Sequence, residues 1–187
     1  MRLFIAIELN PSVKRLMLSA IQRLAEFRNT VRWVTEAQMH LTMKFLGDVP
    51  DQKVADICDT CARVAAECEP FELTVDRCGC FPIGGRVRVI WCGPQGEAPT
   101  AAKCAARLDD ACAELGLDPE TRPFSAHLTL GRVRDDHTNG RLREAVQRLQ
   151  PGSAAQPVDK LTLFQSTLSP RGPNYAALGR FPFSGTG

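Results

Sequence analysis

The stretch HLTMKFLG (residues 40–47) is followed by HLTLGRVR (residues 127–134), which begins 87 residues later (127 minus 40) with the same three letters. The chain has only three histidines, and two of them begin these stretches. Side chains alternate between the two faces of a β-strand, so His40, Thr42 and Lys44 are predicted to share one face. By the same rule His127 and Thr129 share a face. The repeat therefore predicts two imidazoles and two hydroxyls around a common cleft.

The elements around the two motifs predict an α+β fold. Each motif strand precedes a helix, which indicates two similar lobes of antiparallel sheet and helices, without a flexible linker between them. Hairpins between the helices exclude a doubly wound parallel sheet. Strands are predicted in RLFIAIEL (2–9), VRWV (31–34), MHLTMKFLG (39–47), FELTVDRCGCF (71–81), RVRVIWCG (86–93), FSAHLTLGRV (124–133), VDKLTLFQSTLS (158–169) and NYAALGRFPF (174–183). Helices are predicted at about 11–27, 51–68, 98–115 (ended by Gly116) and 138–149.

Length and composition are those of one globular domain. The chain has 187 residues, of which 44% are hydrophobic and 24% charged, with a net charge of +2. A protein that binds a long stretch of nucleic-acid backbone normally has a broad basic surface, so a compact site for one nucleotide or chain end is expected. No apolar run reaches the roughly 18 residues of a membrane span, and Glu8 and Asn10 interrupt the short apolar start. We expect a cytoplasmic protein that does not contact membranes.

The eight cysteines raise the question of a metal site. Cys58 and Cys61 form a CxxC, but together with Ala65 and Cys68 they follow the spacing of one helix face, which favours packing in the core. CGC at 78–80 is a minor source of metal ligands, because no second Cys/His pair has the spacing of a zinc site. We expect no metal and no cofactor.

The paired motifs suit displacement at phosphorus. Imidazole has an ordinary pKa near 6.5, so one ring can act as a base while the other acts as an acid. The threonine hydroxyls can donate hydrogen bonds to the phosphate oxygens, where negative charge grows in the transition state. Such a mechanism needs no metal ion, and no acidic cluster lies near either motif in the sequence.

With these residues in view, the sequence resembles the 2H phosphoesterases, and among them the RNA 2′,3′-cyclic phosphodiesterases, historically called 2′-5′ RNA ligases. The resemblance spans nearly the whole chain as one domain with two intertwined lobes (1–187). It rests on segments that match the family's pattern in order, namely RLFIAIEL, VRWV, HLTM, KFLGDV, GGRVRVIW, RPFSAHLTLGRV and LFQSTLSPRGPNYAAL.

The resemblance implies a bilobal α+β fold and hydrolysis of a 2′,3′-cyclic phosphate at an RNA 3′ end to a 2′-phosphate. Some members of that family also join tRNA halves reversibly through a 2′-5′ linkage, so reversible ligation is a second activity that the resemblance implies. Carried onto this chain, His40 is the general acid and His127 the general base, while Thr42, Thr129 and Arg132 bind the phosphate. The implied partners are RNA 3′ ends or small cyclic nucleotides, and we expect a monomer.

Several other residues have two interpretations. Strict alternation turns Arg132 away from His127, unless a bulge or strand end at Gly131 turns it back. Lys44 either adds positive charge to the cleft or is solvated. Phe4 fits the core better than base stacking. Trp33 and Trp91 each lie in a strand-like run and are assigned to the core, and His137 is assigned to a surface loop.

Other classes of function stay open. A 2H enzyme acting on a small cyclic nucleotide or an ADP-ribose cyclic phosphate shares the same motifs. An RNA-end binding module would have the fold without competent histidines. A Cys/His metal protein would contain zinc when purified, and a cysteine hydrolase would need a cysteine beside a histidine.

Overall fold

A computed structural model of the chain describes residues 1–170 and 172–185. The strands are β1 (Arg2–Glu8), β2 (Val31–Trp33), β3 (His40–Asp48), β4 (Phe71–Val75), β5 (Arg77–Phe81), β6 (Val89–Gly93), β7 (Leu128–Val133), β8 (Ala154–Val158), β9 (Lys160–Ser169) and β10 (Gly172–Pro182). The helices are α1 (Pro11–Arg23), α2 (Val54–Glu67), α3 (Pro99–Glu114) and α4 (Arg141–Arg148). Short 3₁₀ turns extend α1 and precede β3 and α2.

The strands form two four-stranded antiparallel sheets, and each sheet contains one motif strand. The first sheet has the order β10-β9-β1-β3, the second has the order β2-β7-β6-β5, and β4 pairs with β8 separately. Helices α2 and α3 pack against the first sheet, while α1 and α4 pack against β7, β8 and β5. The predicted α+β class with antiparallel sheets is confirmed.

Most predicted elements are present, but one predicted strand is divided in two and one strand was not predicted. FELTVDRCGCF contains β4 and β5, which belong to different sheets, because β4 pairs with β8 whereas β5 pairs with β6. Strand β8 was not predicted, since only its last residue, Val158, belongs to the predicted strand VDKLTLFQSTLS. Gly116 follows α3 with a φ of +74°, the left-handed conformation expected after a helix.

Helix α1 begins as the sequence predicts. The side chain of Asn10 accepts a hydrogen bond from the backbone N–H of Val13 at 2.9 Å, and Pro11 occupies the first helical position. The buried side of α1 includes Val13 and Met17. The predicted helix start at Asn10–Pro11 is therefore confirmed.

The cysteines pack in the hydrophobic core, as the helix spacing predicts. Cys61 and Ala65 are fully buried on α2, Cys68 is buried just after it, and Cys58 is partly buried. Burial raises the pKa of the Cys61 thiol. Among residues 1–170 and 172–185, no three His, Cys, Asp or Glu side chains are grouped as they are around a metal ion.

A β-bulge interrupts both motif strands at the same motif position. In β3, Ala6 pairs with Thr42 while Ile5 pairs with Lys44, which leaves Met43 as the extra residue. In β7, Trp91 pairs with Thr129 while Ile90 pairs with Gly131, which leaves Leu130 as the extra residue. A bulge shifts the alternation by one residue, so residues after it change face.

The bulge at Met43 makes the predicted placement of Lys44 wrong. Lys44 points into the protein and is 1% exposed, where its ammonium forms an ion pair with Asp109 of α3 at 2.5 Å. It also donates to the backbone carbonyl of Asp118 at 3.0 Å. Lys44 therefore joins β3 to α3 and adds no charge to the cleft.

None of the helices in the described ranges is both long enough and apolar enough to cross a membrane.

Candidate active site

The two motif histidines are held in the same way. The Nδ1 atom of His40 lies 2.8 Å from the backbone carbonyl oxygen of Gln38, and Nδ1 of His127 lies 2.8 Å from that of Ser125. Because a carbonyl oxygen can only accept, each Nδ1 carries a hydrogen and donates it. The other ring nitrogen, Nε2, is therefore left for proton exchange on both histidines.

His40 lies in an aromatic pocket of the first sheet. Its ring centroid is 4.8 Å from that of Phe4 and 5.2 Å from that of Tyr175, which meets it edge-on. Phe4 is buried, as predicted. Its ring packs against the ring of His40 and stacks on Phe164. The hydroxyl of Thr42 lies 3.0 Å from His40 Nε2. The first motif thus brings its imidazole and hydroxyl into direct contact.

The environment of His40 favours its neutral form. Its pKa is lowered from 6.5 to about 4, chiefly because burial penalises the charged ring, and the positive charges of Arg132 and His127 lower it further. The hydrogen bond to Gln38 acts in the opposite direction. Strands β3 and β7 contact each other, so the two motifs and Arg132 lie side by side.

Arg132 faces this cleft because of the bulge at Leu130. After the extra residue, Arg132 pairs with Val89 on the face that carries Thr129 and Trp91, while Gly131 turns to the core. Arg132 is exposed, and its charge also acts on the pKa of Tyr175. A bulge therefore does turn the arginine back, and the structure brings His40, Thr42, His127, Thr129 and Arg132 to one cleft.

The second motif has aromatic neighbours of its own. Phe81 meets the ring of His127 edge-on at 5.2 Å and stacks on Trp91, also at 5.2 Å. The assignment of Trp91 to the core is wrong, because Trp91 pairs with Thr129 on the cleft face and is only partly buried. Trp33, in contrast, packs against the core. His137 is exposed and contacts Asp135 at 2.6 Å.

A cavity of about 460 Å³ adjoins the second motif. It is lined by Trp91, Phe124, Ser125 and Ala126 among others, and Ser125 is also the residue whose carbonyl holds His127. A volume of this size is within the range of small-molecule sites. His127, Thr129 and Arg132 are not among the residues that line it, so this cavity lies next to the second motif and not between the two histidines.

Tyr175 and Phe81 were not predicted from the sequence. Tyr175 is the chain's single tyrosine and lies on β10, 135 residues after His40 (175 minus 40). The antiparallel pairings of β10 with β9, of β9 with β1 and of β1 with β3 bring it to the first motif. Neither residue belongs to a motif with a recognised spacing.

Two matched His-x-Thr motifs on antiparallel sheets, facing one cleft, define the protein as a phosphoesterase of the 2H class. The model of the LigT-like phosphoesterase family matches residues 7–91 and 93–175. The chain belongs to this family.

Curated relatives carry the name RNA 2′,3′-cyclic phosphodiesterase. The chain is 31% identical over 185 residues to the one from Thermotoga maritima, a match that covers 99% of this chain and 97% of that protein. It is 34% identical over 155 residues to the one from Geobacillus stearothermophilus. That second match covers 82% of this chain but only 48%, about half, of the relative.

Solved structures have the same fold. A crystal structure of a protein from Thermus thermophilus superposes with a TM-score of 0.85 at 29% identity, over 99% of both chains. Escherichia coli LigT, crystallised with 3′-AMP, superposes with a TM-score of 0.79 at 26% identity, over 98% of both chains.

Proposed function

We propose that this protein hydrolyses the 2′,3′-cyclic phosphate at an RNA 3′ end and leaves a 2′-phosphate. The observation that carries the proposal is the pair of histidines, each held through Nδ1 by a carbonyl two residues earlier, with Nε2 left to exchange protons. The names of the curated relatives support the same reaction and an RNA substrate.

The reaction needs one base and one acid. In the proposed mechanism, His127 Nε2 removes a proton from water as the water oxygen attacks phosphorus. The bond between phosphorus and O3′ breaks, and His40 Nε2 donates a proton to O3′. The phosphate stays on O2′, and the two histidines exchange protonation states. Each proton transfer contributes roughly 10² to 10⁴ in rate.

Thr42, Thr129 and Arg132 are proposed to bind the phosphate. Hydroxyl and guanidinium donors compensate the negative charge that grows on the non-bridging oxygens. Thr42 is already adjacent to His40 Nε2, so its hydroxyl and the acid reach the same phosphate. The bulge at Leu130 brings Arg132 to the same face as Thr129. No metal ion is required for this scheme.

The low pKa of His40 sets a condition on its role as the acid. With a pKa of about 4, His40 is neutral in the empty cleft at neutral pH and must gain a proton when the substrate binds. A bound phosphate anion favours the protonated ring and raises this pKa. Substrate binding and proton uptake by His40 are therefore coupled.

Ligation follows from the same geometry when the nucleophile changes. If the 5′-hydroxyl of a second RNA replaces water, loss of its proton to His127 and departure of O3′ give a 2′-5′ linkage. We propose hydrolysis as the main reaction, because water competes at far higher concentration.

The product tests the proposed reaction. A short RNA ending in a 2′,3′-cyclic phosphate is incubated with the protein, and the phosphorus-31 spectrum of the product is recorded. We expect a 2′-phosphate alone. A 3′-phosphate would show that O2′ leaves instead, and an unchanged cyclic phosphate would overturn the proposal.

A further inference from the structure

Arg32 and Arg132 lie side by side on the second sheet. They are direct partners in the antiparallel pairing of β2 with β7, so both side chains project from the same face. The neighbouring partners Trp33 and Gly131 turn to the opposite, core face. Since Arg132 faces the cleft, Arg32 faces it too, with backbones about 5 Å apart.

The guanidinium groups of Arg32 and Arg132 repel each other unless an anion binds beside them. Like charges directly opposite each other destabilise a pair of strands. Neither guanidinium forms an ion pair with a carboxylate among residues 1–170 and 172–185. Both arginines are exposed, so the pair is open to a ligand from the cleft.

Arg32 also reaches towards the first motif. A side-chain carbon added at Gly172 would lie 2.7 Å from Nη2 of Arg32 and 3.1 Å from Nε2 of Gln38. Gln38 provides the carbonyl that holds His40. The guanidinium of Arg32 therefore lies between the second sheet and the residues that support His40, at the margin of the cleft.

We propose that Arg32 binds the phosphate on the 5′ side of the terminal nucleoside, and that the preferred substrate is a 5′-phosphorylated or internucleotide-linked RNA end. The inference rests on the proposed function, which assigns the cyclic phosphate to Arg132 and leaves Arg32 for a second phosphate. In such a substrate the 5′ phosphate and the cyclic phosphate are attached to the same ribose. Arg32 and Arg132 lie on neighbouring strands, so each arginine can bind one of these two phosphates. A nucleoside cyclic phosphate with a free 5′-hydroxyl lacks it.

Three substrates that differ only at the 5′ position test this proposal. They are adenosine 2′,3′-cyclic phosphate, its 5′-phosphorylated form, and the dinucleotide ApA with a terminal 2′,3′-cyclic phosphate. Wild type, Arg32→Gln, Arg32→Lys and the control Arg148→Gln are compared by kcat/KM. Arg148 lies on α4, is 82% exposed and pairs with Glu144 of the same helix, which makes it a matched arginine away from the cleft.

We expect wild type to prefer the two substrates with a 5′ phosphate, and Arg32→Gln to reduce that preference about tenfold, as for one charge-assisted hydrogen bond. The salt dependence of log kcat/KM on the dinucleotide should flatten by about 0.7 in this variant. Arg32→Lys should keep part of the preference, and Arg148→Gln all of it.

An equal loss on all three substrates would overturn the inference, because it would limit Arg32 to holding β2 against the start of β10 at Gly172. An unchanged preference in Arg32→Gln would also overturn it. If wild type cleaves the 5′-hydroxyl substrate well without any preference, this inference alone fails. If wild type cleaves none of the three, the proposed function fails.

Discussion

Lys44 and Gly131 occupy equivalent positions in the two motifs, each directly after the bulged residue, and both face away from the cleft. In the first sheet this position is filled by a long side chain that pairs with Asp109. In the second, a carbon on Gly131 would lie 2.5 Å from Cγ1 of Val31, so only glycine fits. The residues that follow, Phe45 and Arg132, therefore face the cleft in both lobes.

Removing the partner of Lys44 is expected to be costly. Asp109→Asn leaves a buried ammonium without its counter-charge, which typically costs about 3 to 5 kcal/mol. Glu114→Gln on the same helix is the control, because the exposed pair of Glu114 with Arg63 at 3.1 Å should contribute about 1 kcal/mol or less. Urea unfolding measures both, and equal effects would contradict the buried role of Lys44.

Lys44→Met tests whether this lysine has any role in the reaction. Because Lys44 is buried against α3, we expect kcat/KM to stay within about twofold of wild type, well under the effect of a lost charge-assisted bond. A tenfold or greater loss of kcat/KM in a variant that still folds would contradict this placement, because it would show that Lys44 contributes to the reaction.

Stability should depend on pH through His40. The pKa of His40 is about 4 in the folded protein and about 6.5 when unfolded, so between these values the unfolded chain binds more protons. Stability therefore falls as the pH falls from 6.5 to 4, by at most about 3 kcal/mol. Unfolding of His40→Gln should lack this component, with His137→Gln, an exposed ring, as the control. Parallel curves for wild type and His40→Gln would contradict the buried neutral ring.

A substitution at Gly79 should affect His127 indirectly, through the aromatic rings between them. A methyl group at Gly79 would overlap the ring of Trp91, which stacks on Phe81, the edge-on neighbour of His127. We expect Gly79→Ala to destabilise the protein by about 1 to 3 kcal/mol and to lower kcat. Gly84→Ala, where the added carbon meets no atom within 4 Å, is the control. An unaffected Gly79→Ala variant would show that Trp91 adjusts freely.

The roles of the two histidines can be separated with a better leaving group. A cyclic phosphorothiolate with sulfur at the 3′ position needs no proton on departure, because a thiolate is a stable leaving group. His40→Ala should therefore lose far less activity on this substrate than on the oxygen substrate, by about 10² or more, while His127→Ala should lose as much on both. The opposite pattern would make His127 the acid.

Much of the fold and the central pair could be predicted because they depend on local patterns. The strand alternation around His40 and His127 lies within a few residues of each histidine. The face of β6 that meets the cleft is set by its pairing with β7, which is why Trp91 was wrongly assigned to the core. The error at Lys44 has a different cause. A bulge depends on the register of a partner strand far away in the sequence, and no local pattern distinguishes Met43 from an ordinary strand residue. Tyr175 reaches His40 through three successive strand pairings, which connect β10 to β9, β9 to β1 and β1 to β3.

The most direct test of the account is hydrolysis of a short RNA with a 2′,3′-cyclic phosphate end by wild type, His40→Ala, His127→Ala and the double variant, with and without a chelator. We predict chelator-resistant turnover to the 2′-phosphate, a loss of about 10² to 10⁴ in each single variant, and a double variant little worse than either. Full activity in either single variant, or loss of wild-type activity with chelator, would contradict the paired-histidine mechanism.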